Sequence, residues 1–146
     1  MLDAALQDKL QKSFDAQGAM ALIGARVVRW SAGEVEFELP HAKHITQQHG
    51  FVHAGILGTV MDSACGFAAL STMPLDAGIL TIEYKMNCLA PAKGERFSII
   101  GRVRKAGRTI CVAEADAYAI EGDTKKLVAT MTATEMTIQG RADIKG

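Results

Sequence analysis

The residues best placed to do chemistry lie in one run, Gln47-Gln-His-Gly-Phe-Val-His-Ala-Gly-Ile-Leu-Gly-Thr-Val-Met-Asp62. From Ala54 to about Thr72 the chain is apolar on nearly every side, the pattern of a buried helix. Asp62 is the carboxylate within that helix, and burial would lift its pKa above ~3.9 and strengthen it as a base. The start of a helix leaves backbone N–H groups unpaired beside the positive end of its dipole, and Ala54 and Gly55 occupy that start. A carboxylate that attacks or activates water, with N–H donors where an oxyanion forms, is equipment for hydrolysis at an acyl carbonyl. The competing reading of Asp62 is a solvent-facing residue or a structural partner of an arginine. An unpaired buried acid is expensive, which favours function. For His53, capping or packing at the helix entry outranks proton transfer.

Ala54 and Asp62 are eight positions apart, hence ~12 Å along a helix rising 1.5 Å per residue. They cannot both touch one carbonyl. Two such helices, antiparallel across a two-fold axis, would bring Asp62 of one copy to the Ala54 end of the other. The spacing therefore predicts a composite site and no active monomer.

Other candidates are weaker. His41, His44 and His49 share a polar loop without a carboxylate ligand or a helical histidine pair, so no metal site is expected. Cys65, Cys88 and Cys111 are widely spaced in apolar segments and read as buried free thiols of a reducing cytoplasm. A nucleophilic cysteine would need a nearby base, and none is evident in the sequence.

The 146 residues fit a single domain spanning the chain. Sixteen basic and sixteen acidic residues balance, which gives no support for a nucleic-acid or anionic-membrane partner. The longest apolar stretch, Ala54 to Leu70, is short for a membrane span and broken by Asp62 and Ser63. The first twenty residues lack a secretory pattern. An amphipathic N-terminal helix is predicted over Leu2–Gln17, ending near Gly18. Strands follow over Ala25–Trp30 and Glu34–Leu39, the second alternating strictly with Val35, Phe37 and Leu39 inward. After the central helix come strands over Ile79–Leu89, Glu95–Lys105, Thr109–Ile120 and Lys126–Ile138. Their short connections suggest an antiparallel meander. Gly58 and Gly66 suggest close packing of the helix against another backbone. Residues 139–146 are expected to fray. The class is α+β, a curved antiparallel sheet wrapped around a long central helix.

His49-Gly50, His53-Ala54-Gly55 and Asp62 fall in register with a pattern of Asn, His-Gly, His-Gly-Gly and Asp. In this the chain resembles the PaaI-like acyl-CoA thioesterases of the hotdog superfamily. The similarity runs on through Leu89-Ala-Pro-Ala-Lys-Gly94 and Lys105-Ala-Gly-Arg108, from about Ala25 to Ile138. Gln47 stands where the family often has Asn and keeps a side-chain amide. Ala54 stands where Gly is usual and keeps its N–H. The resemblance implies hydrolysis of an aryl or short- to medium-chain acyl-CoA at a dimer-interface site, with a dimer of dimers as a further possibility. CoA belongs to the substrate, and no cofactor is implied. Asp62 would be general base or nucleophile. Gln47 would hydrogen-bond at the site, and Thr81 matches a hydroxyl that orients the attacking water, although a plain strand threonine fits equally well. Lys93, Arg104, Lys105 and Arg108, with Arg96 and Arg102, would offer charges to CoA phosphates, or form a solvated face. Two alternatives remain: a dehydratase, whose His-Phe-Pro motif is absent, and a non-catalytic acyl-thioester-binding module.

Overall fold

The computed structural model describes residues 1–145. Its organising element is the predicted apolar helix, here α3 (Ala54–Leu70), with α1 (Ala4–Asp15) and α2 (Gly18–Ile23) before it. The strands are β1 (Arg26–Ser31), β2 (Glu34–Pro40), β3 (Gly78–Cys88), β4 (Arg96–Ala106), β5 (Ile110–Glu121) and β6 (Thr124–Ile138). They form one six-stranded sheet in the order β1-β2-β4-β5-β6-β3, antiparallel at every pairing. α3 packs on β2 through β6, so the sheet curls around it. This is the α+β arrangement expected, with its N-terminal helix.

The sheet can come close to α3 because β5 turns a row of small side chains inward: Cys111, Ala113, Ala115, Ala117 and Ala119, all buried. β2 alternates as predicted, with Val35, Phe37 and Leu39 fully enclosed. Its outward glutamates pair with Arg29 and Arg102 (Glu34) and with Arg26 and Arg96 (Glu38). The sheet backbone comes up against α3 at Gly101 of β4, where an added Cβ would lie 2.3 Å from the Ala64 carbonyl oxygen. Gly58 and Gly66, expected to serve that purpose, face side chains instead: Met86 for the first, Ile79 and Glu135 for the second.

The meander expectation holds for β4-β5-β6 and fails for β3, which pairs with β6 at the far edge. Its short link to β4 runs across the ends of the intervening strands. Leu89 N–H donates to the Val128 carbonyl at 2.8 Å and Glu95 N–H to the Ile120 carbonyl at 2.9 Å. The curl shortens that path enough for a few residues to span it. β3 thus leaves one edge unpaired, with Leu80, Ile82 and Tyr84 exposed on it.

The predicted first helix is α1, and a second, short helix that was not expected, α2, follows it. α1 is capped by Asp3, whose side chain accepts from Ala5 N–H at 2.7 Å, and stops at Asp15. α2 ends on Gly24 in the left-handed region, φ 80°. Phe14 of α1 joins Trp30, Phe37 and Phe67 in an aromatic cluster with centroid spacings of 4.9 to 6.3 Å, which fixes α1 over the C-terminal end of α3. In the tail, Ile144 packs over the bare Cα of Gly78. Gly146 lies outside the described residues. Among those residues no helix is long and apolar enough to cross a membrane.

Candidate active site

Asp62 lies half-buried on the third turn of α3, beside a cavity of about 400 Å³ lined also by Ser63, Phe67, Leu80, Thr81 and, from the α1–α2 junction, Gln17. Ser63 Oγ donates to Gln17 Oε1 at 3.0 Å, so the N-terminal helices close one wall of this space. Thr81 Oγ1 is 2.9 Å from Asp62 Oδ1. Although Thr81 belongs to an exposed edge strand, it is in phase with Ile79, which packs over Gly66 of α3, and pairs with the buried Glu135, so its hydroxyl is on the face toward α3. Burial pushes the Asp62 carboxyl above the usual range, and the Thr81 hydrogen bond partly opposes this.

A second acid completes the cluster, one that sequence reasoning missed. Glu135 of β6 lies opposite Thr81 on β3 and Cys111 on β5 and has no exposed surface. Its Oε2 is 3.1 Å from Thr81 Oγ1. Burial, reinforced by the Asp62 charge and opposed by Thr81, raises its carboxyl to about 7. A signal existed: Ala129, Met131, Ala133 and Glu135 follow at intervals of two, and the first three are core-facing residues.

The helix start lies in a separate cavity of about 390 Å³, lined by Gln47, Phe51, His53, Ala54, Leu57 and Cys88 among others. No residue lines both cavities. His53 is the N-cap, its Nδ1 accepting from Gly55 N–H at 2.9 Å. This corrects the expectation for Gly55, whose N–H the cap already occupies. Ala54 N–H, by contrast, donates to nothing among the described residues and remains the donor at this end. Gln47 folds its Oε1 onto His49 N–H, which leaves Nε2 as its available group.

The cations are distributed unevenly. Arg96 and Arg102 are engaged by Glu38, Glu34 and Asp116, and Arg104 by Glu114 at 3.3 Å. Arg104, Lys105 and Arg108 share the β4–β5 end, whereas Lys93 precedes β4 at its other end. With 11 residues between the two ends of β4, the separation is on the order of 30 Å. One chain therefore does not gather all four around one ligand. Among the described residues no three His, Cys, Asp or Glu side chains cluster as metal ligands. Cys65 and Cys111 are buried, but Cys88 is exposed, contrary to expectation, because it lies at the end of the edge strand.

Known proteins share this architecture. Residues 49–126 match the thioesterase superfamily, a segment holding His49, His53, Asp62, Thr81 and the cation-rich hairpin. A thioesterase family protein from Silicibacter pomeroyi is 49% identical, its structure superposing with a TM-score of 0.91 over 92% of this chain and 99% of that one. The PaaI protein of the Escherichia coli phenylacetic acid degradation operon superposes with a TM-score of 0.85 over 96% and 98% of the two chains, at 16% identity, a likeness of fold alone. A Halobacterium salinarum protein, whose name gives it only provisionally as an esterase, is 33% identical over 110 residues, 72% of each chain. A sheet curled on one helix, a carboxylate midway along it and these matches agree: the chain belongs to the thioesterase superfamily, hydrolases of acyl thioesters built on the hotdog fold.

Proposed function

We propose that the chain hydrolyses an acyl-CoA thioester, aryl or short- to medium-chain, at a site assembled from two copies. The observation that carries this reading is the division of the equipment between two cavities of one chain. Asp62 and Thr81 border one cavity, and Ala54 and Gln47 the other, ~12 Å apart along α3. The unpaired edge of β3 supports it further. The Asp62 cavity touches the beginning of that strand and the Ala54 cavity its end, so a two-fold axis through the middle of β3 would join unlike halves. The exposed apolar side chains of β3 are suited to such a contact.

In this reading Asp62 takes a proton from water through Oδ2, while Oδ1 is held by Thr81. The hydroxide adds to the carbonyl, and the oxyanion is received by Ala54 N–H and Gln47 Nε2 of the partner copy. The C–S bond then breaks, and the proton on Asp62 passes to the departing thiolate, giving free acid and CoA. No cofactor is needed, and the free thiols fit a cytoplasmic protein.

Complementation tests the reading. Asp62→Asn keeps the size and polarity of the side chain but cannot take a proton, and should lower turnover by ~10²–10⁴-fold. Ala54→Pro deletes the N–H at the first helical position, where proline is well tolerated. Mixed and re-associated in equal amounts, the two inactive chains should recover about a quarter of wild-type activity. Half the dimers are then mixed, each with one intact composite site. Normal turnover in Asp62→Asn would favour a binding module, and absence of rescue in verified mixed dimers would confine the site to one chain.

A further inference from the structure

Glu135 has no role in that reaction, yet it is the most confined acid in the protein. Its Oε1 has no hydrogen-bond partner, and its Oε2 shares Thr81 Oγ1 with Asp62, at 3.1 and 2.9 Å respectively. A threonine hydroxyl carries one hydrogen and cannot donate to two carboxylates at once. Two ionised acids would therefore compete for one donor, and the Glu135 carboxylate would do so with no surface open to water. The titratable groups facing Glu135 bring no positive charge. They are Asp62 and Cys65 from α3 and Cys111 from β5, with Glu114 of β5 near the same cluster, while β3 contributes Thr81. A proton on Glu135 resolves the conflict.

We propose that Glu135 is a positioning residue that holds a proton: its neutral carboxyl donates to Thr81 Oγ1 and thereby commits the Thr81 hydrogen to Asp62. The chain Glu135 O–H to Thr81 O–H to Asp62 carries a single negative charge, located on Asp62. It fixes Oδ1 and leaves Oδ2 free to meet water. The catalytic half of this inference rests on the reading of Asp62 as the reacting carboxylate. Burial brings the loss of the Glu135 proton close to neutrality, at about 7. Above that pH both acids claim the Thr81 hydrogen, Asp62 is no longer held in one orientation, and turnover falls.

The test is infrared difference spectroscopy of the full-length wild-type protein titrated from pH 5.5 to 8.5, repeated on Glu135→Gln, with pH–rate profiles on an acyl-CoA. The carbonyl band of a protonated carboxylic acid should be present in the wild type at pH 6, fade with a midpoint near 7, and be missing from Glu135→Gln. The rate profile should lose its alkaline limb in the variant. Its kcat should fall about three- to tenfold, since an amide N–H is a weaker donor to Thr81. Absence of the wild-type band at pH 6, or its persistence in Glu135→Gln, overturns the proposal. A band that behaves as expected beside superimposable profiles overturns the positioning role. If the chain hydrolyses no acyl-CoA, the catalytic reading fails independently, and the band still decides where the proton resides.

Discussion

Replacing Glu135 by glutamine should make the folded protein more resistant to urea at alkaline pH than at acidic pH, relative to the wild type. Glu135 ionises at about 7 in the folded chain against an ordinary 4.5. The folded state therefore binds its proton more tightly than the unfolded state does. The stability this contributes is fully present below 4.5 and lost as the pH climbs from 4.5 to about 7. At about 1.4 kcal/mol per pH unit the loss amounts to about 3 kcal/mol. Glutamine is nearly isosteric and has no proton to lose, so the variant escapes this penalty. The pH dependence of other groups, such as Glu34, whose pKa its Arg29 and Arg102 partners lower, is common to both proteins and cancels in the difference. Urea unfolding at pH 5 and pH 8, at one fixed protomer concentration, should show the variant's midpoint gaining about 1–2 M on the wild type between the two conditions. A difference that stays constant with pH would refute the reasoning, because it would mean that folding does not bury a proton at Glu135.

Three further outcomes are expected. Thr81→Val removes the hydrogen bond that holds the Asp62 carboxyl down against burial; the acidic limb of kcat/KM should move to higher pH, and an unmoved limb would separate Thr81 from Asp62. Gly101→Ala places a Cβ against the Ala64 carbonyl of the central helix, so thermal unfolding should show a loss at or above the upper end of the ~1–3 kcal/mol range for overpacking; a loss below about 1 kcal/mol would mean that α3 and β4 part easily. Charge removal at Lys105 and Arg108 should raise KM for acyl-CoA by about ten- to a hundredfold per well-formed contact, with little change for a short pantetheine thioester and a smaller effect at Arg104, which Glu114 already engages; equal effects on both substrates would make the hairpin an ordinary solvated face.

What could be read in the sequence was local. α3 announced itself by its apolar run, β2 by strict alternation, and Asp62 by being a carboxylate where none is cheap. Strand order could not be read in the same way. The link 89–95 is short enough for a hairpin, and only the curl of the sheet, a property of all six strands together, shows that it spans two strand ends instead. α2 escaped notice because Gly-Ala-Met-Ala-Leu-Ile is too short to display a helical period. At the site, Ala54 and Asp62 could be located by counting residues, but the loss of the Gly55 N–H depends on the orientation of the His53 ring, which spacing does not encode. Glu135 lay in phase with buried neighbours, and the ordinary tendency of acids to face water concealed it.

The exposed position of Cys88 makes the protein addressable by a single chemical label. Cys65 and Cys111 are enclosed, and burial pushes both thiols up, so neither offers an appreciable thiolate near neutrality. Cys88 opens onto the cavity that holds Gln47, His53 and Ala54. An environment-sensitive dye on its sulfur would report directly on whether anything enters that cavity, with no background from the other two cysteines and no engineered residue.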